Sequence, residues 1–120
     1  ARVLLAEDNA INRQVANEIL QSSGVSVEPA GDGLEAVEKL WEGGYDAVLM
    51  DIQMPGMDGL ETLRHMKEKA PNLPVILLTG HACMGVAVQG LDLGAYDYML
   101  KPVAISELII KMEEAARSAM

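Results

Sequence analysis

The chain has 120 residues, half of them hydrophobic, which is enough for one compact domain over 1–120 and too few for a second. Its formal charge of −9 and pI near 4.5 argue against direct nucleic-acid binding, because phosphate backbones are held mainly by Lys and Arg. Cys83 is the only cysteine, so neither an intrachain disulfide nor a thiolate metal site can form within it.

No apolar run approaches the roughly 18 to 20 residues that cross a bilayer, and no basic stretch followed by an apolar signal core opens the chain. No membrane association is expected, and a reducing cytoplasm is the expected location. Starting at Ala1 rather than Met, the chain reads as a processed or excised piece to which further domains could be attached.

In chain order, Val3-Leu4-Leu5-Ala6 is a short continuous apolar run, the pattern of a strand covered on both faces. Val15, Ile19 and Leu20 then recur at helical spacing. Val25-Ser26-Val27 reads as a half-exposed edge strand. Leu34, Val37, Leu40 and Trp41 follow as a helical stripe, with Trp41 expected to cap a hydrophobic cluster. Ala47-Val48-Leu49-Met50 is a second buried strand, Leu60, Leu63 and Met66 mark a third helix, and Val75-Ile76-Leu77-Leu78 is a third buried strand. A fourth helix contains Gly85 and Gly90, each costing about 0.8–1 kcal/mol relative to Ala in a helix interior, and is expected to be marginal and mobile. Tyr96-Asp97-Tyr98-Met99-Leu100 reads as the second edge strand, before a last helix on Ile105, Leu108, Ile109 and Met112. Asp32-Gly33-Leu34-Glu35 and Asp58-Gly59-Leu60-Glu61 open two of the helices with a capping acid and a Glu that suits the helix dipole.

Five strands each followed by a helix imply a doubly wound α/β fold, a parallel sheet with helices on both faces. Its functional crevice should lie beyond the carboxyl ends of the strands. Polar residues stand there: Glu7-Asp8 after the first strand, Asp51 after the third, Thr79 after the fourth and Lys101 after the fifth. Asp8 alone could be a helix cap. Asp51 has no such role, since it joins a buried strand directly to Ile52-Gln53-Met54-Pro55. Three converging carboxylates call for a positive partner, and an all-oxygen ligand set suits Mg²⁺. Phosphoryl transfer is catalysed by positioning and charge neutralisation, so Lys101 would serve as a second cation and Thr79 as a hydroxyl donor, with Gly80 keeping the approach open. An ionised Asp51 could act as nucleophile without a base.

Glu7-Asp8-Asn9, Met50-Asp51-Ile52-Gln53-Met54-Pro55-Gly56-Met57-Asp58-Gly59, Leu78-Thr79-Gly80 and Tyr98-Met99-Leu100-Lys101-Pro102 resemble the receiver domains of two-component response regulators, over essentially the whole chain. The resemblance implies a flavodoxin-like sheet of strand order 2-1-3-4-5 with five helices. It implies Asp51 as phosphoacceptor, and Glu7, Asp8, Asp51 and the backbone carbonyl of Gln53 around Mg²⁺. Thr79 would bind a phosphoryl oxygen, Lys101 would pair with the phosphoryl group across a cis Lys101-Pro102 bond, and Tyr98 would turn inward as Thr79 shifts. Gln53 and His81 occupy the positions that tune dephosphorylation. The implied partners are a histidine kinase or phosphotransfer protein as donor, and an output domain or partner protein on the face of the fourth helix, fifth strand and fifth helix. A homodimer on phosphorylation is a further expectation.

Other residues read more plainly. His65 is expected to be a solvated surface residue, most of the eight methionines core filling, and Cys83 a small packing residue. Two rival functions use the same features. A haloacid-dehalogenase-like phosphatase would need a second acid two residues after the nucleophile, where this chain has Gln53. A phosphorylation-independent interaction module would have lost one of the groups the chemistry needs, and none is missing.

Overall fold

The computed structural model describes residues 2–7, 14, 17–18, 20–22, 24–31, 33–51, 59–80, 84–100 and 105–118. Five strands, β1 (Arg2–Ala6), β2 (Ser26–Ala30), β3 (Ala47–Asp51), β4 (Val75–Thr79) and β5 (Asp97–Leu100), form one sheet of order β2-β1-β3-β4-β5, and every pairing is parallel. Helical backbone at residues 14, 17–18 and 20–22 marks α1. It is followed by α2 (Gly33–Leu40), α3 (Gly59–Lys69), α4 (Met84–Asp92) and α5 (Ile105–Ser118). The doubly wound fold and strand order expected from the sequence are present.

Strand character explains the order. β3 and β4 are buried at every residue, as their unbroken apolar runs require of central strands. β2 and β5 are partly exposed throughout much of their length, and Pro29 sits in β2, an edge position where a missing N–H is tolerated. β2 begins one residue later than the Val25-Ser26-Val27 run and continues to Ala30.

Alternation along the strands divides the core in two. Leu4, Val48, Met50, Val75 and Leu77 face α2, α3 and α4, where they meet Ala36, Leu40, Leu63, Met66 and Ala87. Val3, Leu5, Leu49, Ile76 and Leu78 face the opposite layer with Leu20 of α1 and Leu108, Met112 and Ala115 of α5. Met50, Met66 and Met112 are thus core residues. His65 is exposed. Val15, Ile19 and Cys83 lie outside the described residues.

Two expectations need correction. Leu34 and Trp41 are 55% and 70% exposed, so neither belongs to the buried stripe and Trp41 caps no cluster. Leu40 is buried as expected, and Gly33 and Ala36 complete the buried face of α2. Val37 is half-buried and packs against the same core cluster, so only Leu34 and Trp41 turn outward. In α4, Gly90 is buried, and a Cβ on it would collide with Leu77 Cδ1. It is a packing requirement of the helix–sheet contact. Only Gly85, with open space around it, carries the expected cost of glycine in a helix.

Candidate functional site

Parallel pairing brings every strand's carboxyl end to one edge of the sheet. Ala6 is level with Met50, so Glu7 and Asp51 each stand one residue beyond the same rung on adjacent strands, roughly 5 Å apart in the backbone. The Glu7 N–H donates to the Ala30 carbonyl at 3.0 Å, tying this corner to the end of β2. Asp51 is level with Leu78, and Thr79 is the next residue on β4. Thr79 in turn is level with Leu100 of β5. All three polar residues are buried: Glu7 is 5% exposed, Asp51 3% and Thr79 0%.

The sheet faces separate these groups. Glu7 continues the row of Val3 and Leu5, and Asp51 the row of Leu49, on the α1 and α5 side. Thr79 continues the row of Val75 and Leu77, on the α2, α3 and α4 side. Tyr98, level with Leu77, is half-buried and packs against that same cluster. Strand spacing and rise put the Cα atoms of Thr79 and Tyr98 roughly 8 Å apart on one face. The Thr79 hydroxyl donates to the Gly80 carbonyl at 3.0 Å.

Of the residues singled out in the sequence, the structure therefore brings Glu7, Asp51 and Thr79 to one edge and sets Tyr98 beside it. Asp8, Gln53, His81, Lys101 and Pro102 lie outside the described residues. Among the described residues, no three His, Cys, Asp or Glu side chains form a cluster able to hold a metal ion. No described helix is long and apolar enough to cross a membrane.

Among the described residues, open grooves also lie away from this edge. One runs between β5 and α5, where Tyr98, Met99 and Leu100 face Glu107, Ile110 and Lys111. Lys111 Nζ meets Asp97 Oδ2 at 2.6 Å beside it, and this hydrogen bond raises the lysine pKa above its usual value. Another lies between α2 and α3, lined by Val37, Trp41, His65, Glu68 and Lys69. Sequence reading missed it, because Leu34 and Trp41 were assigned to the buried stripe together with Val37 and Leu40.

Buried acids and a buried hydroxyl thus stand at the carboxyl edge of a doubly wound parallel sheet, where α/β folds of this class place their ligand crevice. Residues 3–113 match the response regulator receiver domain family. The chain belongs to that family, a signalling domain of two-component systems. It is 38% identical over 116 residues to the response regulator MprA of Mycobacterium sp. (strain KMS), covering 97% of this chain and 50% of that protein. The chain thus spans about half the length of the curated relatives it matches. Among solved structures, a response regulator receiver domain protein from Clostridium thermocellum superimposes with a TM-score of 0.95 at 30% identity, over 98% of this chain and 95% of that one. NtrX from Brucella abortus superimposes with a TM-score of 0.92 at 30% identity, over 99% of this chain and 27% of that one.

Proposed function

We propose that this domain is a phosphorylation switch in which Asp51 accepts a phosphoryl group from the phosphohistidine of a histidine kinase or phosphotransfer protein. The observation that carries the reading is the position of Asp51: a 3% exposed carboxylate ending a central strand, level with Glu7 and one residue short of Thr79 on the next strand. Membership of the receiver family supports it. In the transfer, an Asp51 carboxylate oxygen bonds to phosphorus as the phosphorus–nitrogen bond breaks, and the departing imidazole keeps the electron pair and takes up a proton.

The acids fit a hard divalent cation. Glu7 and Asp51 are buried oxygen donors on adjacent strands, and Asp8 and the Gln53 backbone carbonyl complete the set that would hold Mg²⁺. Bound there, the ion supplies positive charge against the phosphoryl oxygens. Lys101 contributes a second positive charge, and Gln53 and His81 steer or shield the attacking water that ends the signal. Thr79 would exchange its bond to the Gly80 carbonyl for one to a phosphoryl oxygen. Tyr98, on the same sheet face, then moves inward, and the exposed Val88, Leu91, Tyr96 and Ile110 on α4, the α4–β5 connection and α5 form the surface read by an output domain or partner, or by a second copy after phosphorylation. The setting is cytoplasmic, where kinase and phosphodonors are found.

Intact mass after incubation with acetyl phosphate tests this reading. One phosphoryl group should be gained, and chelation of Mg²⁺ or the substitution Asp51→Asn should each abolish the gain. A folded protein that gains nothing under rapid quench, from acetyl phosphate or from a phosphorylated histidine donor, would instead be a phosphorylation-independent interaction module.

A further inference from the structure

Two large apolar side chains, one on α2 and one just after it, stand exposed among the described residues. Leu34 and Trp41, seven residues and about 10 Å of chain apart, are 55% and 70% exposed, with the half-buried Val37 between them. Alongside lies α3, whose His65, Glu68 and Lys69 form the opposite wall of an open groove. Lys69 Nζ stands 3.2 Å from the centroid of the Trp41 ring, which holds the indole at the groove by a cation–π contact while most of it remains accessible. An exposed tryptophan is a costly thing to leave in water, and an aromatic anchor flanked by polar residues is the usual make-up of an interface centre.

We propose that the α2–α3 groove docks a basic amphipathic helix of a partner protein. Exposed apolar residues two turns apart, beside a groove between α2 and α3, suit a partner helix laid alongside with its own apolar residues at i, i+3 and i+7. Charge decides the sign of the partner. Glu68 lines the groove, and the exposed acids Glu38 and Glu42 on and just after α2 and Glu61 and Glu68 on α3 outnumber Arg64 and a Lys69 already engaged by the indole. The chain as a whole carries −9, which opposes a second copy on the same face and favours a cationic partner. This inference is independent of the phosphorylation chemistry at the sheet edge.

Trp41 is the only tryptophan, so it reports its own surroundings. The probe is a peptide of about 18 residues, long enough for a helix, with Leu along one face and Lys elsewhere. Its mate has the same Leu pattern and Glu in place of Lys. The basic peptide should shift Trp41 emission to the blue and shield it from iodide and acrylamide. Leu34→Asp, an exposed change expected to leave the fold intact by circular dichroism, should weaken binding by about tenfold or more, whereas Ile110→Asp on α5 should leave it unchanged. Raising the salt concentration should weaken binding as well. No spectral change with the basic peptide, equal binding of the acidic peptide, or equal loss in both variants would overturn the proposal. So would a blue shift that grows with protein concentration alone and disappears in Leu34→Asp, since the groove would then hold a second copy.

Discussion

Lysines in this molecule titrate in opposite senses according to what surrounds each ammonium. Lys111 donates to Asp97, and Lys39 donates to Glu28 at 2.9 Å with Glu35 at 3.5 Å, so hydrogen bonds to carboxylates raise both pKa values above 10.5. Lys67 is half-buried, donates only to the Leu73 carbonyl among the contacts described, and is lowered by burial. Burial also raises the Tyr45 phenol above 10, with the Arg2 guanidinium stacked 4.4 Å from its ring pulling the other way. A raised lysine pKa means that the folded state holds its proton longer. The stability from Lys39 and Lys111 is therefore complete below pH 10.5 and lost as the pH rises through their folded values. Tyr45 acts in the same direction above pH 10, since the folded state resists its ionisation. Lys67 acts oppositely: its burial cost is relieved as pH rises toward 10.5. Urea unfolding between pH 8 and about 11.5 should show Lys111→Met with a shallower alkaline loss of stability than the parent, and Lys67→Met with a steeper one. At neutral pH Lys111→Met should cost only about 0.2–1 kcal/mol, because the pair is partly solvated. An unchanged alkaline slope in both variants would remove these lysines from the account.

At the scale of elements, the two glycines of α4 behave differently. Gly85 is exposed with nothing near its missing Cβ, so Gly85→Ala should stabilise the fold by up to about 1 kcal/mol in chemical denaturation. Gly90 lies against Leu77, Leu63 and Leu60, and Gly90→Ala should instead destabilise by about 1–3 kcal/mol through overpacking. Opposite signs at two glycines of one helix would be hard to obtain from propensity alone; equal signs would contradict the packing described. Helix starts behave closer to expectation. The Glu35 carboxylate accepts from the Gly31 N–H at 3.0 Å, reaching back past the first turn of α2. Asp32 and Asp58 lie outside the described residues. The loop after α2 turns on Gly43 and Gly44, both at positive φ, and Arg2 donates to the Gly43 carbonyl at 3.1 Å, fastening that turn to the start of β1.

Over the whole molecule, the sheet separates two apolar clusters that share strands but few side-chain neighbours. Leu63 is fully buried on the α3 side and Leu108 is 4% exposed on the α5 side. Each changed to Ala should cost about 2–5 kcal/mol. The double variant should lose the sum to within about 0.5 kcal/mol while still unfolding in one transition. Separate transitions for the two layers would show that the sheet does not couple them.

Much of this architecture was legible in local patterns. Unbroken apolar runs identified β1, β3 and β4 because a strand covered on both faces has no polar face to display. The alternation of strand and helix then required parallel pairing, and parallel pairing places Glu7, Asp51 and Thr79 at a common edge. Residue type alone could mark Asp51 as a nucleophile candidate, since a carboxylate directly after a buried strand has no ordinary reason to be there. Tertiary packing decided the rest. Leu34, Val37, Leu40 and Trp41 share one helical spacing, and only the way α2 lies on the core selects Ala36 and Leu40 for the interior and leaves Leu34 and Trp41 in solvent. Likewise, Gly85 and Gly90 are alike in sequence. Only the approach of Leu77 distinguishes them, because the cost of a Cβ depends on what stands opposite it and not on the helix that bears it.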